Sequence, residues 1–401
     1  MAADHCGVEI PFSYRLGRFV VDILHTSCAG LDVHKMSVTA CVMRLVHGEL
    51  IRETRRFGTM TGDLLALADW LAGHEVRQVA MESTGVYWKP IFHILEDQFE
   101  VILVNAQHIK RVPGRKTDVG DAEWIADLLL HGLLSPSFIP PRPIRELRDL
   151  TRNRTLIIRQ RATLANRIQK VLEDANIKLA GVASDILGAS GQDMIRALIR
   201  GRTDPAELAD LARERLRKKI PALQEALHGR VTEHHRFLLR SLMDQVGHLD
   251  QQIRRFDGRI AKLMAPFRAA AQRLQTIPGI GQASAEVIAA EIGVDMSRFP
   301  TPGHLASWAG MCPGNDESAG KRHSGRTTKG SQWLRSTLVQ VAWAATHTKA
   351  THFRALYARW AKRIGKKKAL VALGHKILVI IHKLLSAGTA YRECQPSPEA
   401  A

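Results

Sequence analysis

The first third of the chain contains several runs typical of β-strands, and in one of them apolar positions recur with a period of two. The runs at 28–33, 37–46 and about 49–57 predict three β-strands, and the alternation at Val38, Ala40 and Val42 predicts one buried face for the second of them. Helical and strand-like runs then alternate, with helices predicted over 62–73, 87–97 and 118–131 and strands over 76–81 and 100–104. Three strands followed by alternating helices and strands predict an α/β layer around a mixed sheet.

From about residue 145 the periodicity becomes helical only. Eight apolar residues follow one another at alternating spacings of four and three, which is typical of a coiled coil. An earlier run from Leu147 to Val171 has a similar spacing, interrupted by Arg154 and Arg161. The two arms can pair within one chain as an antiparallel hairpin or between chains, and we expect a homo-oligomer joined through them. The eight residues are Leu242, Val246, Leu249, Ile253, Phe256, Ile260, Leu263 and Phe267.

These changes of pattern divide a chain that is too long for one ordinary domain. The α/β domain is followed by a helical coiled-coil region and by a mainly α C-terminal domain that contains a glycine- and serine-rich loop. We also predict a short N-terminal extension and a disordered tail. The predicted bounds are 1–27 for the extension, 28–140 for the α/β domain, 141–271 for the coiled-coil region, 272–388 for the C-terminal domain and 389–401 for the tail.

The charge balance indicates a polyanionic partner. Lysine and arginine (57) exceed aspartate and glutamate (39) by 18, and nucleic acid is the commonest polyanion that a basic surface binds. A basic protein without such a partner, or one that touches anionic lipid, remains the alternative. The five cysteines include no CxxC pair, and no run approaches the roughly 20 apolar residues of a membrane helix. We therefore expect a cytoplasmic protein that uses no membrane.

Four acidic residues stand at the ends of predicted elements. Asp32 ends the first strand, Glu82 follows the strand at 76–81, and Asp118 and Asp121 lie three residues apart, on one face of a helix. Phosphoryl transfer needs such convergence, because two Mg²⁺ ions some 4 Å apart can then hold the attacking and leaving oxygens. Each acid taken alone is equally typical of a turn or a helix cap.

The segment 274–293 carries Pro-Gly-Ile-Gly between two helical patterns. Gly279 and Gly281 allow a close approach of the backbone, and the N–H groups that open the second helix suit a phosphate. The segment is thus similar to helix-hairpin-helix modules, which hold the DNA backbone without reading its sequence. An ordinary turn between two helices is the alternative.

The loop at 310–331 mixes hydroxyl groups with basic side chains. A serine attacks phosphorus only where the developing charge is neutralised and the serine proton is removed. Ser318 is flanked by small residues, which leave room for a DNA backbone. From the residues alone, however, a phosphate-binding loop is favoured over a catalytic serine. The basic residues are Lys321, Arg322, Arg326 and Lys329.

Five motifs in a fixed order resemble the DEDD transposases, insertion-sequence recombinases related to the Piv DNA invertase. They begin with Leu-Asp-Val-His-Lys, Met-Glu-Ser-Thr-Gly-Val-Tyr-Trp and Lys-Thr-Asp-Val-Gly-Asp-Ala. Ile-Pro-Gly-Ile-Gly and Ser-Ala-Gly-Lys-Arg-His-Ser-Gly-Arg follow downstream. The resemblance covers about residues 28–390.

The resemblance implies an RNase H-like (RuvC-like) α/β domain, a coiled-coil arm and a C-terminal transposase domain. By motif position, Asp32, Glu82, Asp118 and Asp121 match the metal-binding tetrad, and Ser318 matches a nucleophile that forms a phosphoserine bond to DNA. The family also implies a site composed of two protomers and a structured non-coding guide RNA encoded by the element. Because the motif here reads Ser-Ala-Gly, Ser324 remains a second candidate.

The expected function is therefore that of a transposase that cuts and rejoins DNA with Mg²⁺ and a serine. The first alternative is a RuvC-like, structure-selective endonuclease in which water is the nucleophile. It accounts for the acids and the charge but not for the loop at 310–331. The second alternative is a nucleic-acid-binding protein without catalysis, which would tolerate the loss of every carboxylate.

Overall fold

The chain forms two compact units, Met1–Ile139 and Pro140–Ala401. A computed structural model describes residues 13–16, 19–83, 85–105, 120–313, 316–318, 321–324 and 327–393, with the backbone alone at 13–22 and 316–324. Of the predicted site residues, Asp118 and Arg326 lie outside the described residues, and only the backbone is described at Ser318, Lys321, Arg322 and Ser324.

The first unit contains seven described strands and three described helices, and they follow the predicted order. Each predicted strand and helix from residue 28 to residue 104 lies within about two residues of an observed element. The elements are β1 (Ser13–Leu16), β2 (Phe19–Asp22), β3 (Ser27–Val33), β4 (Val38–Val46), β5 (Glu49–Phe57), α1 (Thr61–Gly73), β6 (Gln78–Glu82), α2 (Trp88–Leu95), β7 (Glu100–Val104) and α3 (Asp121–Leu130).

Five of these strands form a mixed sheet in the order β5-β4-β3-β6-β7. β4 pairs antiparallel with both β5 and β3, whereas β3, β6 and β7 run parallel to one another. The predicted α/β layer with a mixed sheet is therefore confirmed, while its classification as RuvC-like stays a prediction.

Alternate residues of each central strand enter two separate cores, as strand geometry requires. Leu31 and Met81 pack on the side of α1 and α2. Cys28, Met43 and Ala80 pack on the other side, against α3. Both faces of the central strands are covered, so the prediction of a single buried face for the strand at 37–46 is wrong: Val42 packs on one side and Met43 on the other.

A short hairpin precedes the sheet, in the segment predicted as an N-terminal extension without a regular period. The antiparallel strands β1 and β2 pair Ser13 with Asp22. The following Leu24 donates a backbone hydrogen bond to Leu130 O at the end of α3 (2.9 Å). The final part of this segment is thus attached to the α/β unit.

In its described residues, the second unit is helical apart from one two-stranded sheet. Three short 3₁₀ turns, at Glu214–Lys219, Ala265–Phe267 and Met296–Arg298, connect some of its helices. Its elements are α4 (Arg142–Asp174), α5 (Leu179–Val182), α6 (Ala189–Ile199), α7 (Pro205–Asp210), α8 (Ile220–Ala226), α9 (Glu233–Leu263), α10 (Arg268–Gln275), α11 (Gln282–Ile292), α12 (Pro302–Trp308), β8 (Asp316–Ser318), β9 (Lys321–Ser324), α13 (Gln332–His347), α14 (His352–Ile364) and α15 (Lys366–Ala387).

The long helices α4 and α9 lie antiparallel within one chain. Arg161 Nε lies 2.5 Å from Asp250 Oδ1, and farther along, Arg154 Nε lies 2.5 Å from Asp257 Oδ1. Of the eight heptad residues only Val246 and Ile260 are buried. One of the two predicted pairings, the hairpin within a chain, is therefore present, and pairing between chains through the half-buried remainder stays a prediction.

The C-terminal end of the described chain differs from its prediction. Residues 389–393 are not disordered, because Tyr391 stacks on Phe353 with ring centroids 5.6 Å apart and its backbone N–H donates to Thr276 Oγ1. The aromatic side chain of Tyr391 was the signal that the prediction of disorder overlooked.

The last helix, α15, is long and apolar enough to cross a membrane when judged by length and composition, unlike the expectation from sequence. Its side chains, however, pack inside the helical unit. Leu373 and Ile377 are fully buried, and His382 Nε2 lies 2.7 Å from Phe299 O. Such contacts are those of a core helix.

Candidate active site

Two predicted acids lie at the same end and on the same face of the sheet. In the parallel pair β3–β6, Leu31 is opposite Met81, so Asp32 and Glu82 follow as neighbours at the carboxyl ends of their strands. Cys28 and Ala80 face α3, and Asp32 and Glu82 lie four and two residues farther along the same strands. The period of two therefore directs both carboxylates to the α3 side.

Helix α3 brings a third acid to this end of the sheet. Leu130 O at the end of α3 accepts from Leu24 N before β3, whereas Cys28 Sγ is 3.6 Å from Ala126 O. Helix and strand thus run in opposite directions. Asp121, the first residue of α3, consequently lies toward the strand end that carries Asp32 and Glu82.

These acids offer the ligand chemistry that Mg²⁺ prefers, because carboxylate oxygens are hard donors. Asp32 is half-buried, and His34 Nε2 lies 3.0 Å from its Oδ2. Within the described ranges no three His, Cys, Asp or Glu residues form a ready metal cluster. The fit therefore rests on the donor type and the common face, with Asp118 outside the described residues.

Gly30 is required for the approach of α3 to the sheet. A Cβ atom at Gly30 would lie 2.3 Å from both Ala122 O and Ala126 N, which are backbone atoms of α3. Gly30→Ala is expected to displace α3 together with Asp121 and to destabilise the unit by about 1–3 kcal/mol, as overpacking does. Denaturant unfolding followed by circular dichroism measures this loss.

Gly62→Ala is the matched control for Gly30→Ala, since a Cβ at Gly62 meets no atom within 4 Å. Gly62 lies in the first turn of α1, where alanine is tolerated. Equal stability of the two variants would contradict the assigned role of Gly30.

The segment predicted as a serine loop contains a β-hairpin. Ser318, the last residue of β8, pairs with Lys321, the first residue of β9, and Ser324 pairs with Asp316 at the other end of the hairpin. Pro313 and Thr327 form a further bridge. The backbones of Gly310 and Gly330 close its base: a Cβ at Gly330 would lie 2.4 Å from Gly310 N. Ser318 therefore lies at the tip and Ser324 nearer the base.

The two glycines of the predicted helix-hairpin-helix segment have different surroundings. Helices α10 and α11 flank the turn as expected. Gly279 has a positive φ of 91°, and a Cβ there would lie 2.5 Å from Val341 O of α13. Its close approach is therefore to a helix of the same chain. Gly281 caps α11 and has open space around it, so the predicted DNA contact of this turn stays a prediction.

A fully buried carboxylate connects the base of the hairpin to two helices. Glu291, at 0 % exposure, accepts two hydrogen bonds from Arg152 of α4, at 2.7 and 2.8 Å. Its Oε2 also accepts from Ser331 Oγ (2.8 Å), the residue that caps α13 directly after the hairpin. Glu291 thereby fixes where the hairpin rejoins the helical unit.

Two further arginines of α4 reinforce this junction. Arg148 donates to the backbone carbonyls of Ala290 and Glu291, at 3.1 and 2.6 Å. Burial lowers the pKa of Arg148 to about 10, opposed by the nearby charge of Glu291, so the guanidinium stays charged at neutral pH. Arg159 lies over the ring of Trp333, 5.2 Å from its centroid.

Arg152→Ala is expected to destabilise the helical unit by about 3 kcal/mol, because it leaves the buried carboxylate of Glu291 without its cation. Arg142→Ala on the same helix is the control. The Arg142 side chain is 75 % exposed and pairs with the exposed Glu146, so its loss should cost about 0.5 kcal/mol or less. Urea unfolding of both variants tests the contrast, and similar values would refute the role of the buried pair.

Sequence reasoning missed Glu291, Arg152 and Ser331. Arg152 and Glu291 are separated by 139 residues, and neither belongs to a sequence motif that indicates which residue it contacts. His34 could have been found, because it follows Asp32 by two residues and a period of two places both side chains on one side of the strand.

Two family models match this chain. The first is a model of the DEDD transposases of IS110. Its description is Transposase, and it matches residues 29–177. The other, described as Transposase IS116/IS110/IS902 family, matches residues 271–358. The first range includes the four acids, and the second includes the turn at 276–281 and the hairpin with Ser318.

Curated proteins with similar sequences span most of the chain. A probable family 20 transposase of Pseudomonas aeruginosa is 29% identical over 78% of this chain and 85% of its own length. The transposase for insertion sequence element IS1111A of Coxiella burnetii is 25% identical over 72% of each chain. A pilin gene-inverting protein of Moraxella bovis is 24% identical over 89% of this chain and 94% of its own.

Proposed function

Because this chain belongs to the IS110/IS116 family of DEDD transposases, it is a DNA transposase, and we propose that it cuts and rejoins DNA through a covalent bond to Ser318. The observation that carries the proposal is the pair of family matches, one around the acids and one around the serine hairpin. DNA is the substrate, since a net charge of +18 suits a polyanion.

The carboxylates Asp32, Glu82, Asp118 and Asp121 would hold Mg²⁺. The common face of Asp32 and Glu82 and the start of α3 at Asp121 support this assignment. When bound, the ion would offset the negative charge of the scissile phosphate. Carboxylates that gather at one end of the sheet repel one another, which is a further reason to expect a cation between them.

In the proposed reaction the Ser318 hydroxyl attacks the scissile phosphorus. A bond forms between Ser318 Oγ and phosphorus, the bond from phosphorus to the deoxyribose oxygen breaks, the serine proton is released, and the departing oxygen gains one. A deoxyribose hydroxyl of the second strand then attacks the phosphoserine and frees Ser318. Each step exchanges one phosphate ester for another, so the bond energy is conserved through strand exchange.

Basic residues of the hairpin would steady the phosphate during this exchange. Lys321 is opposite Ser318 in the strand register, and Arg322 follows it. The exposed Lys329 extends the basic character toward α13, and Arg326, which lies outside the described residues, would add a further positive charge to the hairpin. Gly281, at the open start of α11, would contact the DNA backbone. Gly279 would contribute to this contact only by shaping the turn that precedes Gly281.

We further propose a homo-oligomer in which acids and serine come from different protomers, acting in the cytoplasm with a structured RNA encoded by the element. The six heptad residues from Leu242 to Phe267 that are only half-buried support the oligomer. The net positive charge of the chain suits RNA and DNA equally, because both are polyanions. The experiment therefore needs separate reactions with and without the RNA.

The test is to incubate the protein with end-labelled donor DNA of its own element and Mg²⁺, with or without the candidate RNA. The products are then denatured and separated by mass. Label that moves with the protein, disappears with EDTA and maps to the peptide of Ser318 supports the proposal. Metal-dependent cleavage without any adduct would instead favour the RuvC-like endonuclease. An adduct that forms equally well without RNA would refute the proposal of a guide RNA.

A further inference from the structure

A row of paired residues crosses the sheet at the level of the strand acids. Asp32 of β3 pairs with Thr39 of β4, and Thr39 pairs with Arg56 of β5. Residues directly opposite each other in antiparallel strands project from the same face. Arg56, Thr39 and Asp32 therefore stand side by side on three neighbouring strands.

The packing shows which face this is. Thr54, two residues before Arg56, donates from Oγ1 to Glu123 Oε1 of α3 (3.4 Å). Cys41, which pairs with Thr54, is buried against α3. Arg56 consequently lies on the α3 side of the sheet, the side to which Asp32 and Glu82 are directed.

Arg56 has the reach and the charge to act beside the acids. Strands lie about 4.8 Å apart, so two strand spacings place the Arg56 backbone about 10 Å from that of Asp32. The side chain is exposed, and its Nη2 donates to Ser37 Oγ at 3.0 Å. In the part of the chain that the structure describes, Arg56 makes no ion pair with a carboxylate.

The neighbouring Arg55 has a different environment. It points to the opposite face, where its guanidinium lies 5.0 Å from the ring centroid of Phe57. The strand thus carries two adjacent arginines of equal charge, of which one faces the acids and the other faces away from them.

We propose that Arg56 binds a backbone phosphate of the DNA strand that occupies the carboxylate site, beside the scissile phosphate. A guanidinium fits a phosphate with two parallel N–H donors, and it cannot compete as a ligand for the cation. The contact would set the register of the strand over the acids without reading bases. This inference rests on the proposed function, because it needs DNA at the acids.

The test compares Arg56→Gln with Arg55→Gln in equilibrium binding of donor DNA at several salt concentrations. Loss of one phosphate contact is expected to lower the slope of log affinity against log salt by about 0.9 and the affinity about tenfold. Arg55→Gln should keep the wild-type slope. Glutamine retains a donor for Ser37, and Ser37→Ala separately removes that hydrogen bond while the charge remains.

A second measurement locates the contact. Donor DNAs are prepared in which one phosphate near the cut, a different one in each DNA, is replaced by a neutral methylphosphonate. With the wild-type protein, the cleavage rate should fall when the replaced phosphate is the one that Arg56 contacts beside the cut. The same substitution should have no additional effect on Arg56→Gln, because the two changes remove one interaction. Coupling of that position with Arg55 instead, or a wild-type salt slope for Arg56→Gln, would overturn the inference.

The two proposals fail separately. If the DNA is cleaved without a covalent adduct, and the effects of Arg56→Gln and of one methylphosphonate are still coupled, serine catalysis is refuted and the phosphate contact is retained. Adduct formation that is insensitive to Arg56→Gln would refute the contact and leave serine catalysis in place. If Ser37→Ala lowers the slope of log affinity against log salt as much as Arg56→Gln does, Arg56 only supports the turn between β3 and β4. The inference is then wrong.

Discussion

Ser318→Ala is expected to abolish the covalent DNA–protein adduct completely, because alanine has no oxygen with which to form the phosphate ester. DNA binding should remain within about twofold of the wild type, since the hairpin keeps its basic residues and a single hydroxyl contributes little to affinity. The measurement is denaturing electrophoresis of labelled donor DNA after reaction with each protein.

Ser324→Ala is the control for Ser318→Ala. Both serines lie on the same small hairpin, but Ser324 is opposite Asp316 rather than Lys321. The adduct should form with Ser324→Ala at close to the wild-type rate. The reverse result, with the adduct lost only in Ser324→Ala, would move the nucleophile to that residue.

Asp32→Asn is expected to slow strand cleavage about a thousandfold, because the charge stabilisation provided by a bound cation is worth several kcal/mol and asparagine would weaken its binding. The fold should be retained, because the residue is at a strand end and its size is unchanged. Single-turnover kinetics with saturating protein separate this loss of rate from any loss of DNA binding.

Glu123→Gln is the matched control for Asp32→Asn. Glu123 lies on α3 two residues after Asp121 and interacts with Thr54, so it is an acid of the same neighbourhood outside the tetrad. We expect its rate to stay within about threefold of the wild type. A rate for Asp32→Asn that also stays within threefold would exclude this residue as a metal ligand.

Much of the α/β unit was predictable because its signals are local. The largely apolar run at 37–46 marks a strand without reference to its partners, and the acids Asp32 and Glu82 could be assigned to strand ends from the runs that precede them. The motif at 276–281 likewise marks a turn whatever it packs against. Such features depend on a few consecutive residues, so they survive without knowledge of the rest of the chain.

The heptad on α9 shows where local signals become ambiguous. A spacing of four and three requires an apolar partner but does not identify it. The structure supplies α4 of the same chain, through ion pairs such as Arg161 with Asp250, and leaves most heptad positions only partly covered. One sequence pattern therefore agreed with two assemblies, and only the packing revealed the one within the chain.

The sequence by itself determined the order of strands and helices, the apolar faces and the residues that could carry the chemistry, since each follows from neighbours along the chain. Only the tertiary structure decided that Glu291 joins Arg152 to Ser331, that Gly279 packs on α13 and that Arg56 shares a face with Asp32. These relations depend on strand register and on contacts between distant segments. Their energies come from burial and geometry that arise only when the segments meet.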